Sequence, residues 1–136
     1  MNNLKHSEIT GNVIKAFYSV YNDLGYGFLE KVYENSLCVE LRSLGLSVEQ
    51  QKPISVYYKG SMVGEYFADL VVNDLLIVEL KSVEALAHAH EAQLINYLKA
   101  PRYEVGLLLN FGKRAEYKRK IFDNEKTGFL SAIFDK

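Results

Sequence analysis

The stretch LLIVELKS, residues 75–82, constrains the fold of this chain more than any other. Four consecutive apolar residues precede Glu79 and Lys81, which is typical of a central strand covered on both faces of a sheet. An ionised side chain in an apolar interior is costly unless it is paired, coordinated or hydrated. Glu79 and Lys81 therefore require charged partners, a metal ion or a water-filled cleft.

Composition places the chain among globular proteins. Hydrophobic residues make up 49% of its 136 residues and charged residues 24%, which predicts one ordinary domain over residues 1–136. No segment approaches the roughly 20 apolar residues that span a bilayer, and no signal-peptide-like run opens the sequence. We therefore expect no membrane association and a cytoplasmic location. The formal net charge of -1 gives no overall electrostatic sign of nucleic-acid binding.

A short basic run lies towards the C-terminal end of the chain. Five of the eight residues 113–120 are lysine or arginine. Such a run suits contacts with a phosphate backbone, and it also suits a solvated strand edge that is protected against aggregation. Both interpretations stay open from the sequence.

The periodicity of apolar residues predicts the element order ααβββαββ. Three- and four-residue spacing predicts helices over residues 7–24 and 28–44, ended by Gly25 and Gly45. Strands are predicted over residues 47–58, 63–72, 75–82, 104–110 and 115–122, with a helix over residues 85–100 stopped by Pro101. Pro53 argues for an edge or a bulge in the first strand. The predicted fold class is α/β (α+β), a mixed sheet flanked by helices. Residues 127–136 are ambiguous.

The register of the second β-hairpin decides which side chains join Glu79. A strict two-residue loop at Asn73 and Asp74 would place Ala68 opposite Glu79, whereas a three-residue loop or one bulge places Asp69 there. The second register separates the side chains better, and we therefore predict an irregular hairpin. It puts Tyr66, Ala68, Leu70, Val72, Leu76, Val78 and Leu80 on one face, and Glu65, Asp69, Glu79 and Lys81 with Phe67, Val71 and Ile77 on the other.

Two facing carboxylates, Asp69 and Glu79, repel each other unless a cation lies between them. Oxygen ligands without histidine or thiolate favour Mg²⁺ or Mn²⁺. Lys81 follows on the same face of the strand, where it can help to deprotonate an attacking water. A buried ion-pair network without a metal is the alternative explanation of these three charges.

The helix predicted after this strand carries polar residues on its apolar side. His90, Gln93 and Tyr97 fall within a narrow sector of a helical wheel, together with Leu86, Ala89 and Leu94. Inward polar side chains usually have hydrogen-bond partners. We therefore expect these three residues to point towards the charged face of the sheet.

Taken in order, these residues resemble a known superfamily of nucleases. Asp69, then Glu79-Leu80-Lys81 ten residues on, then Gln93 and Tyr97 with three residues between them resemble the PD-(D/E)XK superfamily in its exonuclease-like branch. Upstream, residues 27–33 form a Gly-x-x-Glu-x-x-Tyr motif, which is similar to that of the bacterial GxxExxY family placed in that superfamily. The resemblance spans about residues 5–122. Ala68 replaces the proline of the superfamily's name, at a position that varies.

The resemblance implies a restriction-endonuclease-like core and a Mg²⁺-dependent (or Mn²⁺-dependent) nuclease, with DNA favoured over RNA as the nucleic-acid partner. The implied metal ligands are Asp69, Glu79 and the backbone carbonyl of Leu80, and Lys81 would position or activate the attacking water. Further site residues would be Gln93 and Tyr97, which orient the site or contact the substrate backbone, and Glu30, a further ligand or an outer-shell acceptor. Two other functions stay open: a nuclease-fold binding module with a vestigial or partner-dependent site, and a homodimeric structural protein.

Overall fold

The order of helices and strands agrees with the predicted order ααβββαββ. The computed structural model describes residues 6–99 and 103–121, and the predictions for Pro101 and residues 127–136 lie outside them. The elements are α1 (Ser7–Leu24), α2 (Glu30–Ser43), β1 (Val48–Tyr58), β2 (Ser61–Val72), β3 (Leu76–Lys81), α3 (His88–Leu98), β4 (Val105–Phe111) and β5 (Ala115–Ile121).

The five strands form one mixed sheet in the order β1-β2-β3-β4-β5. Strands β3 and β4 are parallel, with α3 between them in the chain, and the other neighbouring strands are antiparallel. Pro53 lies in the edge strand β1, where a missing N–H is tolerated. Lys118, Arg119 and Lys120 of the basic run lie in the other edge strand, β5.

Helices cover the two faces of the sheet. Leu76, Val78 and Leu80 of β3 belong to the apolar cluster that contains α1 and α2, whereas Ile77 belongs to the cluster that contains Leu94 of α3. Because side chains alternate along a strand, α3 lies on the face opposite α1 and α2. Within the described residues, no helix is both long and apolar enough to span a membrane.

The helix boundaries agree with the predicted ones to within two residues, except at the start of α3. Gly25 and Gly45 both adopt positive φ, at 71° and 85°, as helix-ending glycines do. The helix predicted from residue 85 begins at His88 instead. The reason is that Ala87 has the extended backbone of an N-cap residue (φ -111°, ψ 159°), stabilised by the hydrogen bonds from its own N–H to His90 Nδ1 and from the Leu86 N–H to Glu116 Oε1.

The irregular β2–β3 hairpin predicted from the charge pattern is confirmed. Leu70 pairs with Val78, and Val72 pairs with Leu76, which leaves a three-residue loop and places Asp69 level with Glu79. The predicted faces are wrong beyond this point, because Ala68 and Tyr66 pack in the α3 cluster. The alternation of side chains reverses near Asp69, opposite a β1 residue with left-handed backbone, Gln51 (φ 53°). In line with that reversal, Phe67 is exposed.

Candidate active site

Asp69 and Glu79 meet at the point where β2 separates from β3. The Asp69 N–H donates to Glu79 Oε2 at 3.0 Å, and the Leu80 N–H donates to Asp69 Oδ2 at 2.8 Å. Each carboxylate therefore binds the backbone of the opposite strand in place of the next pair of sheet hydrogen bonds. The structure brings together the two acidic residues that the sequence predicted to face each other.

Burial dominates the electrostatics of this pair. Glu79 is only 6% exposed, and desolvation together with the charge of Asp69 raises its pKa from 4.5 to about 8, against the opposing effects of the Asp69 N–H and Lys81. Desolvation also raises the pKa of Asp69, while its hydrogen bonds from Leu80 and Gln51 oppose the rise. The surroundings of the pair therefore do not fully stabilise both carboxylates in their ionised forms.

Lys81 supplies the nearest positive charge on β3. Its ammonium lowers the pKa values of Glu30, Asp69 and Glu79, although burial outweighs it at each. Among the residues described, it forms no direct ion pair with any carboxylate. Lys81 therefore acts on the three acidic groups through space.

The segment that follows β3 is held by hydrogen bonds to Asn110, which lies near the end of β4. The fully buried Asn110 side chain accepts a hydrogen bond from the Val83 N–H and donates one to the Val83 carbonyl, both at 2.9 Å. A Cβ added at Gly112 would lie 2.3 Å from the same carbonyl oxygen. Asn110 and Gly112 thus fix the segment that follows Lys81.

Glu30, the first residue of α2, faces the same site from the other side. Its carboxylate is partly desolvated and feels Lys81 and Asp69, and its pKa is raised on balance. The loop before it is held by Tyr33, whose hydroxyl donates to the Gly25 carbonyl at 2.6 Å and accepts from the Phe28 N–H at 3.2 Å. The tyrosine of the Gly-x-x-Glu-x-x-Tyr motif is therefore fully buried and structural.

Sequence reasoning missed two residues beside Asp69. The Gln51 amide donates to Asp69 Oδ1 at 3.2 Å and to Glu34 Oε1 at 3.0 Å. Glu34 is buried and also accepts hydrogen bonds from Lys31 and Gln50. Its position four residues after Glu30, on the same face of a predicted helix, was the available signal. No local pattern signals the left-handed conformation of Gln51.

The polar residues of α3 are only partly gathered at the site. Tyr97 is half-buried and feels the charges of Glu79 and Asp69, and Gln93 is hydrogen bonded to it. Gln93 itself is exposed, and its role at the site stays a prediction. His90 accepts the Ala87 N–H and so caps the helix. A residue that the sequence did not single out, Tyr66, stacks on Tyr97 with ring centroids 3.7 Å apart.

The donor groups fit a hard divalent cation. Asp69 and Glu79 offer carboxylate oxygens, and the raised pKa values of both show a shortage of positive charge that a cation would offset. No third acidic, histidine or cysteine side chain completes a ligand group with them in the part of the chain that the structure describes. Glu30 therefore lies near the pair without converging on it.

The basic edge strand contributes less positive charge than its sequence suggests. Lys120 is buried and pairs with Glu91 of α3, with Nζ and Oε1 2.8 Å apart. Lys118, by contrast, is exposed. The edge position agrees with the interpretation of residues 113–120 as a protected strand edge, and contact with phosphate stays a prediction.

Comparisons with known proteins identify the fold and the superfamily. The crystal structure of SSO0001 has a similar fold, with a TM-score of 0.54 and 17% sequence identity over 66% of this chain and 48% of that chain. The chain thus spans about half the length of SSO0001, and this likeness concerns the fold alone. No curated protein matches the sequence. The family model of the PD-(D/E)XK nuclease superfamily matches residues 7–120. The predicted restriction-endonuclease-like core is confirmed, and the chain belongs to the PD-(D/E)XK nuclease superfamily.

Proposed function

We propose that this chain is a nuclease that uses Mg²⁺ or Mn²⁺ to hydrolyse phosphodiester bonds of nucleic acid, with DNA favoured over RNA. The observation that carries the proposal is the reciprocal pairing of Asp69 with Glu79 beside Lys81. Membership of a nuclease superfamily supports it, because divalent cations and a nucleic-acid substrate are general in that group.

Asp69, Glu79 and the carbonyl oxygen of Leu80 are the groups that we propose to hold the ion. When bound, the ion supplies positive charge to the phosphate, on which negative charge develops during hydrolysis. Lys81 positions the attacking water, and its ammonium stabilises the same developing charge. Among the described residues this ammonium forms no ion pair with a carboxylate, which supports that role.

Three other residues are proposed to support the site. Tyr97, hydrogen bonded to Gln93, orients the site or contacts the substrate backbone. Glu30 is proposed as an outer-shell acceptor, because it does not converge with Asp69 and Glu79 among the described residues. We also propose that the chain belongs to the GxxExxY family, which the motif of residues 27–33 and the loop held by Tyr33 support. A single domain over residues 1–136 is proposed as well. The cytoplasm stays the predicted location.

The first experiment is cleavage of single-stranded DNA, double-stranded DNA and RNA in Mg²⁺ and in Mn²⁺. Lys81→Ala tests the site, and Lys15→Ala, at an exposed position of α1, is the matched control. We expect the wild type and Lys15→Ala to cleave one class of substrate, and Lys81→Ala and EDTA-treated protein to be inactive. Equal cleavage by Lys81→Ala would reject the proposal. Titration calorimetry with Mn²⁺ adds a second test: full metal binding by both Asp69→Ala and Glu79→Ala would reject the ligand assignment.

A second candidate function is a binding module that retains the nuclease fold without catalysis. The pair of carboxylates without a third convergent ligand in the described residues favours it. Salt-sensitive binding of nucleic acid without cleavage in either metal would select this function over the first. A homodimeric structural role is the third alternative, and it requires that neither metal nor nucleic acid binds.

A further inference from the structure

Strands β1 and β2 continue beyond the rest of the sheet as a two-stranded ribbon. Strand β2 pairs with β3 only over residues 70–72, whereas its pairing with β1 continues to Tyr58 and Ser61 at the hairpin end. Between this ribbon and the C-terminal half of α3 lies a cavity of about 600 Å³. We call it the ribbon cavity.

The lining of the ribbon cavity is aromatic, and its described residues carry no negative charge. It includes three tyrosines, Tyr57, Tyr66 and Tyr97, with Ser55 and Asn96 as uncharged polar groups and Lys99 as a cation. No carboxylate lines it among the residues that the structure describes. Tyr57 is 64% exposed, and Tyr66 and Tyr97 stack on each other at an interplanar angle of 18°.

The ribbon cavity adjoins the candidate active site at Tyr66 and Tyr97. Tyr66 and Tyr97 line the cavity, and the hydroxyl groups of both feel the charge of Glu79. The Tyr66 hydroxyl is buried and has no hydrogen-bond partner in the described part of the chain. One pair of stacked rings therefore forms a wall shared by the carboxylate pair and the cavity.

We propose that the ribbon cavity binds an unpaired nucleobase of the DNA strand whose phosphodiester lies in the candidate active site. This inference rests on the proposed function and adds a substrate class, single-stranded or frayed DNA. Aromatic faces stack on any base, a volume of about 600 Å³ suits a small planar group, and a lining without carboxylates does not repel the adjoining phosphates. A base inside a duplex already has both faces stacked, so only an unpaired base can enter.

The test measures binding without catalysis. Fluorescence anisotropy in EDTA compares a short single-stranded DNA with an abasic strand of the same length, which keeps the phosphates and lacks the bases. The variants are Tyr57→Ala, Tyr57→Phe, which keeps the aromatic face, and Tyr58→Ala. Tyr58 is the matched control, because it is 62% exposed against 64% for Tyr57 and does not line the cavity.

We expect the wild type and both control variants to bind the base-containing strand more tightly than the abasic strand. Tyr57→Ala should weaken binding of the base-containing strand by about tenfold and leave binding of the abasic strand unchanged. Equal affinity of the wild type for both strands, or equal losses in Tyr57→Ala and Tyr58→Ala, would overturn the proposal. A wild-type dimer that dissociates in Tyr57→Ala protein would overturn it too, because the occupant would then be a second copy.

The two proposals fail separately. If the protein prefers the base-containing strand but cleaves no substrate, the ribbon cavity is still supported as a nucleobase site and the nuclease proposal is rejected. Cleavage combined with base-independent binding retains the nuclease and removes the nucleobase site.

Discussion

Asp69 and Glu79 each accept a hydrogen bond from the backbone of the strand that carries the other, at 3.0 Å from the Asp69 N–H and 2.8 Å from the Leu80 N–H. The two carboxylates therefore join β2 to β3 as well as forming the proposed ligand pair. We therefore expect substitution of either one to change stability as well as the proposed function. Tests of the site need variants that separate the two effects.

Glu79→Gln should make the metal-free protein more stable at alkaline pH. The pKa of Glu79 lies at about 8 in the folded chain, above its ordinary 4.5, so folding takes up a proton between these values. The stabilising contribution of this group is therefore complete below pH 4.5 and is lost as the pH rises through 8, by about 1.4 kcal/mol for each pH unit within that window. Glutamine does not titrate and keeps an oxygen for the Asp69 N–H.

Urea unfolding in EDTA at several values between pH 5 and pH 9 measures this difference. The unfolding free energy of Glu79→Gln should increase relative to the wild type as the pH rises. Glu84→Gln, at an exposed position, controls for the loss of one negative charge. Parallel pH profiles for the wild type and Glu79→Gln would contradict the assignment of a buried, protonated Glu79.

Gln51→Ala should reduce cleavage, whereas Gln50→Ala should not. Gln51 links Asp69 to Glu34, while its neighbour Gln50 binds Glu34 and Asn35 only. Removing an outer-shell hydrogen bond from a proposed metal ligand costs about tenfold or more in activity or metal affinity. Cleavage rates and Mn²⁺ affinities of the two variants, measured side by side, check this. Equal losses would mean that the bond to Asp69 has no special role.

Tyr33→Phe should loosen the loop that precedes Glu30. The substitution keeps the ring stacked on Phe111, with centroids 4.2 Å apart, and removes the hydroxyl bonds to Gly25 and Phe28. We expect a loss of about 1–2 kcal/mol in unfolding free energy, faster hydrogen exchange of the Phe28 amide, and a lower cleavage rate. Tyr21→Phe, which loses hydroxyl bonds to Gly112 and Lys113, is the control. Unchanged exchange at Phe28 in Tyr33→Phe would refute the anchoring role.

Glu91→Gln should destabilise the fold by leaving Lys120 without its carboxylate. The Lys120 side chain is 11% exposed and that of Glu91 20%, so the lysine charge cannot be fully hydrated when its partner is lost. We expect a loss of about 2 kcal/mol, and less in the double variant Glu91→Gln with Lys120→Met. Urea unfolding of both single variants and the double variant gives the coupling energy. Additive effects would show that the pair is uncoupled.

The sequence allowed the site to be predicted because charges interrupt an otherwise apolar strand. Glu79 and Lys81 have no favourable place in a covered strand without partners, and only one hairpin register supplies Asp69 as a partner for Glu79. That register is the one found, with Leu70 opposite Val78. The exclusion of charge from apolar interiors thus determined the pairing of two strands, which propensity alone leaves open.

Other features depend on contacts that have no local signal. The reversal of side chains at Tyr66 and Ala68 lies opposite the left-handed backbone of Gln51, a conformation that glutamine adopts only when its surroundings impose it. The late start of α3 follows from the hydrogen bond between Leu86 and Glu116, residues far apart in the sequence. The helical spacing of apolar residues over 85–100 carries no information about a hydrogen bond to such a distant residue.

Asn110 has a further consequence for the end of β3. Its amide offers Val83 one acceptor and one donor, the same pair of groups that a peptide unit of a neighbouring strand would offer. The side chain thus serves as a single detached peptide unit, which satisfies the backbone one step beyond the last sheet residue. The direction in which the chain leaves Lys81 therefore depends on a group that one substitution on a different strand can remove, without touching either carboxylate.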